Sequence, residues 1–145
     1  MPNTTAGCLA ATAGVACTTV MLMHSSAVLM PADAATKYFD QCFSHIVPGA
    51  TVALATSIIG AVVQSGKTPE SKAEWLGAAA LFASFFPYTA VIMKPTANRI
   101  MDAADEDKAA SEEDFKFISR HSLIRAALLG AGTVLSIYAL IPKKR

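Results

Sequence analysis

The chain carries no charge of either sign over most of its length. Asp, Glu, Lys and Arg are missing from residues 1–32, 41–66, 75–93 and 126–142, runs of 32, 26, 19 and 17. A helix in water keeps charged groups on its wet face, so these runs exclude a set of solvated surface helices. Disulfide chemistry is also poorly provided for. There are three cysteines, an odd number, and Cys8 and Cys17 stand about 13 Å apart along one helix at 1.5 Å per residue. No glycine-rich phosphate loop, nucleophile elbow, CxxC or CxxCH occurs, which removes pre-formed nucleotide, iron–sulfur and haem sites. The net charge of +1 offers no surface to nucleic acid.

What is present is apolar. Hydrophobic residues make up 53% and charged residues 16%, where a soluble domain carries about 25% charged residues. Mean hydropathy is +0.42. A helix crossing hydrocarbon needs about 20 apolar residues, with a range of about 17–25, and each uncharged run supplies one. The fold class expected is all-α: one integral membrane domain over residues 1–145, a four-helix transmembrane bundle. Its helices fall at about 6–30, 46–65, 71–93 and 112–141, with a polar loop and juxtamembrane extension before the fourth. Membrane lipids are its first partner. The expected location is a multi-pass protein of an endomembrane or of the mitochondrial inner membrane. No Lys or Arg precedes Ala13-Gly14-Val15-Ala16 to make a signal peptide, so the first helix is read as retained.

Local signals set the boundaries. Pro31 ends the first helix, and the polar stretch with Asp33, Lys37 and Asp40 reads as a loop. Ser65-Gly66-Lys67-Thr68-Pro69 is a turn that closes the second. Trp75 opens the third at interfacial depth, and Pro87 should kink it, with the kinked side turned to the bundle interior. Residues after Lys94-Pro95 read as a long polar segment. Ser111-Glu112-Glu113-Asp114 has the form of an N-cap followed by acids in the first turn. Lys143, Lys144 and Arg145 form an interfacial anchor. Six Lys/Arg on one side against five on the other leave orientation open.

Ionisable groups at membrane depth are costly and tend to face a cavity or a partner. With four spans, His24, His45 and His121 share one membrane side, together with Lys94, Asn98 and Arg99. Arg125 follows His121 by one turn, facing a partner or snorkelling to the interface. No HxH, HxxxH or Glu-x-x-His spacing supports a metal site, and none is expected. Tyr88 adjoins the Pro87 kink, where its hydroxyl can reach a freed carbonyl or a ligand.

Phe86-Pro87-Tyr88-Thr89-Ala90-Val91-Ile92-Met93-Lys94-Pro95-Thr96-Ala97-Asn98 resembles the third-helix signature of the anthrone-oxygenase-like membrane proteins. The matching positions are Pro87, Thr89, Met93, Pro95 and Thr96, with Asn98 one place late. The aromatic-rich stretch Tyr38, Phe39, Phe43 and His45 stands where that family has one, before the second helix. His121 and Arg125 stand in the region of its His-x-x-Arg. The spacing here is one residue longer, so that Ser122 occupies the family's histidine position when Arg125 is the anchor.

The resemblance implies cofactor-free, O2-dependent oxidation of an apolar aromatic substrate such as an anthrone. A base would remove a proton, and the carbanion would react with O2 directly. The candidates it suggests are His121 as base, His45 as a second base and Arg125 as charge stabiliser. Tyr88, Asn98 and His24 are the expected substrate contacts. The competing reading is a non-catalytic accessory subunit of a larger membrane complex, packed on neighbouring subunits through the small-residue faces Ala6/Ala10/Gly14 and Ala126/Gly130. Without an internal repeat or a line of intramembrane charges, a transporter is disfavoured.

Overall fold

The computed structural model describes residues 4–142, so the Lys143–Arg145 anchor lies outside the described residues. Among them the chain is helical throughout, with no strand. Helix α1 covers Thr5–Ser25 and runs on through a 3₁₀ turn, Ser26–Leu29. Helix α2 is Ala32–His45 and α3 is Val47–Lys67. After a short 3₁₀ turn come α4 (Lys72–Ala83) and α5 (Phe85–Tyr88). A π-helical stretch, Thr89–Met93, and α6 (Lys94–Asp105) continue the helical path without a break. Helix α7 is Glu112–Leu140. Four helical segments are long and apolar enough to cross a membrane: Thr5–Leu29, Val47–Lys67, Pro69–Asp105 and Glu112–Leu140. The fold is thus an all-α bundle of membrane-spanning character.

Close helix approach holds the spans together. The inward stripe of α1 is Gly7, Ala10, Gly14, Cys17, Met21 and His24, at helical spacing. A Cβ on Gly60 would lie 2.7 Å from the Ala6 carbonyl oxygen, and one on Gly14 would collide with the Thr133 hydroxyl and the Phe82 ring. The small-residue face of α1 is therefore consumed inside the bundle, and Ala126 of α7 is buried there too. Ala10, Gly14 and Ala126 are thus not free to dock another chain, while Ala6 and Gly130 are half-buried. In lipid, where apolar burial drives little association, this packing replaces the hydrophobic effect.

Four sequence expectations are corrected. The 31–45 stretch forms a helix, α2, because Ala35, Thr36, Phe39 and Cys42 recur at helical spacing and give it an apolar stripe to bury. The third span does not end near Met93. The π-helical stretch carries the chain past Pro95, which sits in the first turn of α6, and Thr96, Ala97 and Ile100 are buried beyond it. Trp75 does not face outward as an interfacial anchor would: it is fully buried, with its ring against Gly7. Pro87 breaks the helix after Ala83 as expected, but it stands on the exposed side rather than facing inward. The fourth span has the N-cap its sequence implies, with the Ser111 hydroxyl accepting a bond from the Asp114 N–H.

Helices α2 and α6 and the start of α7 build a second layer at one end of the spans. Its core holds Ala27, Phe39, Met93, Ala97, Ile100, Phe115 and Ile118. Thr36 Oγ1 accepts from the Ala110 N–H at 2.9 Å, and Ser119 donates to the Ser25 carbonyl at 2.6 Å. Arg99 donates to Asp114 from both Nε and Nη2, at 3.1 and 2.7 Å.

Gly60→Ala is expected to lower bundle stability by about 1–3 kcal/mol, because backbone must move to admit the methyl group. Gly49→Ala, with nothing within 4 Å, should not destabilise. Thermal unfolding in detergent compares the two. Thr36→Val strands the buried Ala110 N–H at a cost of about 1–3 kcal/mol, read by the same method and by faster exchange of that amide.

Candidate functional site

A cavity of about 360 Å³ lies where the spans meet the second layer. Its walls come from Cys17, Met21 and His24 of α1, Phe39 and Phe43 of α2, and Val47, Thr51 and Leu54 of α3. The opposite wall is a stripe along one helical path: Phe85, Phe86, Thr89, Ala90, Met93, Lys94, Ala97 and Asn98. Ile118, Arg125 and Leu129 of α7 close the back. Thr51, Phe86, Ala90 and Lys94 are exposed members of this lining and mark a mouth on the flank of the bundle. Size and apolar character suit a small organic ligand, since such pockets run about 300–1,000 Å³ with few polar groups.

Arg125 is the most constrained of those polar groups. It is 7% exposed, far from the snorkelling arrangement open to it at an interface. Nη1 donates to Thr89 Oγ1 at 3.3 Å and Nη2 to Ser122 Oγ at 2.9 Å. The Phe85 ring lies under the guanidinium at 5.1 Å. Nε has no partner. The ion pairs among the described residues are Arg99–Asp114 and Lys108–Glu106, so no carboxylate balances Arg125. Placing Arg at the centre of a membrane helix costs about 2.5–3.5 kcal/mol on insertion scales, and two neutral hydroxyls return only part of that.

His24, 4% exposed, is the imidazole of the cavity. Its ring packs edge-on to Phe39 with centroids 6.0 Å apart. Nδ1 makes no bond of good geometry, although the Val20 carbonyl one turn back is near enough to interact with the ring. Arg125 is within electrostatic range of it. The imidazole can therefore exchange a proton with a bound molecule while the guanidinium holds an oxygen.

Of the residues singled out from sequence, His24, Asn98 and Arg125 line this cavity. The other three do not. Tyr88 bonds through its hydroxyl to His121 Nδ1 at 2.6 Å, and the His121 ring stacks on Phe117 with centroids 4.1 Å apart. That pair stands beside the cavity, outside its lining. His45 is exposed, with Nδ1 on the Gln41 carbonyl at 3.1 Å, and borders a separate shallow depression with Tyr38, Gln41, Cys42 and Ile46. The extra residue in His-x-x-x-Arg explains His121. The inward stripe of α7 runs through Ile118, Ser122, Arg125 and Leu129, and one residue turns a side chain about 100° away from it. Ser122 occupies the inward position and bonds to Arg125. Phe39 and Phe43 belong to the aromatic-rich stretch noted before the second helix, whereas Phe85 and the Thr51 hydroxyl carry no site role in the sequence pattern. The spacing of Phe85, Thr89, Met93 and Ala97 is the signal that could have found the first wall.

The sequence model of the anthrone oxygenase family matches residues 37–135, about two thirds of the chain. The protein belongs to the anthrone oxygenase family. The matched region holds the π-helical wall of the cavity and Arg125; His24 precedes it. No curated protein and no solved structure matches the chain.

For this anthrone oxygenase family member, Arg125→Met is expected to keep or raise thermal stability, by up to about 1–4 kcal/mol, because an unbalanced buried charge is replaced by an apolar side chain of similar length. A fall in the unfolding midpoint would instead make Arg125 a structural tie between α7 and Thr89.

Proposed function

We propose that the protein oxidises a planar, apolar aromatic C–H acid of the anthrone type with O2 inside this cavity. His24 moves the proton, and Arg125 holds the oxygen on which negative charge gathers. The observation that carries this reading is a guanidinium without a counter-ion, sharing an otherwise apolar cavity with one imidazole, in a chain of this family.

The chemistry closes on itself. His24 takes a proton from the methylene carbon, and the electron pair delocalises onto the ring carbonyl oxygen, which faces Arg125. The carbanion then gives its electrons to O2 and a C–O bond forms. The imidazolium returns its proton to the peroxide oxygen. Loss of the second C–H proton breaks the O–O bond, leaving a new C=O and one water. One anthrone and one O2 become one anthraquinone and one H2O. Phe39, Leu54, Met21 and Leu129 line the cavity with apolar surface, which keeps water from competing for the anion and strengthens the pull of Arg125 on it.

The accessory-subunit reading gains no support from the faces first assigned to it, since Ala10, Gly14 and Ala126 are buried within the chain's own bundle.

Turnover of an anthrone under O2, measured on protein in detergent or lipid nanodiscs, tests the proposal. His24→Ala should lower kcat by about 10²- to 10⁴-fold, the range of a general base. Arg125→Met should lower it by about 10²- to 10³-fold, as for an oxyanion donor. His45→Ala should leave turnover unchanged. Full activity in His24→Ala would remove the assignment of the base.

A further inference from the structure

We propose that the cavity takes its planar occupant as an oxyanion: a phenol or enol that gives up its proton on binding, with Arg125 as its counter-ion. The proposal rests on the aromatic occupant argued above and adds its charge state.

The cavity carries a fixed positive charge that nothing in its lining balances. Arg125 is more than nine-tenths buried, lines the cavity, and spends its two Nη groups on the neutral hydroxyls of Thr89 and Ser122 while Nε is unpartnered. The other titratable side chains of the deep part are His24, which is never negative, and Cys17, whose thiol donates to the Ala50 carbonyl; Tyr88 and His121 bond to each other beside it, and Leu54, Phe85 and Leu129 are apolar. Lys94, at the mouth, adds a second positive charge and no negative one. In such surroundings a neutral aromatic ketone satisfies the apolar walls and leaves the guanidinium unbalanced. The anion satisfies both, and a nearby guanidinium favours the ionised form of an acid by about 1–3 pH units.

Ionisation on binding is a simple proton loss. The O–H bond breaks, the electron pair stays on oxygen, and the proton leaves through the mouth to water. The net charge facing the deep cavity falls from one positive to none. The enol form of an anthrone is an acid of this kind, and losing its O–H proton gives the same anion that His24 makes from the keto form. The same oxygen that collects charge during oxidation would then already sit on Arg125 before O2 arrives. Arg125 would act as a ground-state anion receptor, selecting acidic aromatic hydroxyl compounds over neutral ketones of equal shape.

A monohydroxyanthraquinone tests this without turnover, because its neutral and ionised forms absorb at different visible wavelengths. The full-length protein in lipid nanodiscs is titrated with pH in the presence of the dye, against empty nanodiscs carrying the same dye. The bound dye should ionise about 1–3 pH units below the reference. Arg125→Met should return the transition to the reference or above it, and Arg125→Lys, which keeps the charge without the planar fork, should retain part of the lowering. His45→Ala should not alter it.

Wild-type-bound dye that ionises at or above the reference pH overturns the proposal whatever the variants do. So does a lowered transition that survives in Arg125→Met. If unsubstituted anthraquinone binds and the hydroxylated dye does not, the charge assignment fails while the oxidation reading stands. If neither binds, both fall.

Discussion

A buried charge that the protein does not neutralise sets the character of the cavity. Arg125 lies on the inward stripe of α7, in a helix of membrane-spanning length, with no carboxylate paired to it among the described residues. Low-dielectric surroundings make such a group expensive, and the chain gives it two hydroxyls and the face of one aromatic ring. Under the proposed reading, a side chain held at this cost beside a cavity large enough for a small aromatic molecule would have its charge balanced by the bound anion. On that reading function and stability would pull in opposite directions at this position.

The cavity itself is a product of interrupted regularity. The lower part of the bundle is closed by glycine and alanine contacts that bring α1 against α3 and α7 with almost no free volume. Above Phe82 that pattern stops. The helix breaks after Ala83, Pro87 comes next, and the backbone winds as a π-helix over Thr89–Met93 before Pro95 restarts an α-helix. A π-helical turn widens a helix locally and rotates the segment beyond it, and such turns recur at functional sites. Here it brings Thr89 to Arg125 and sets Ala90, Met93 and Ala97 as a wall. Helix α2 and the start of α7 then roof the space, tied by Thr36 to Ala110 and by Arg99 to Asp114.

Which of the candidate polar residues reach the cavity is a matter of rotation. His121 and Arg125 share a helix and are one turn apart, yet only Arg125 faces the cavity. A stripe is about 100° wide, and the extra residue carries His121 off its edge toward Tyr88. His45 is the last residue of α2, past the stripe that ends in Cys42 and Phe43, so it faces outward although its neighbours line the site. For His24 the sequence supports no more than a substrate contact, because nothing in the run from Ala6 to Met30 distinguishes one helix face from another except the small residues. Trp75 has the sequence context of an interfacial anchor, directly after Glu74. Gly7, 68 residues earlier, is what makes room for its ring.

The solvent and the count of spans were determined by the sequence unaided. Uncharged runs of 17–32 residues lack the wet face of a solvated helix, and hydrocarbon permits only helices or closed barrels. The family was legible as well, because its signature is contiguous along one helix. Tertiary structure alone decided which polar side chains meet. That choice depends on helix phase, on the π-helical turn, and on contacts between residues far apart in the chain, such as Thr89 with Arg125 and Phe39 with His24. Spacing along one helix fixes a face only relative to itself. The partner that face meets is set by how the neighbouring helices pack.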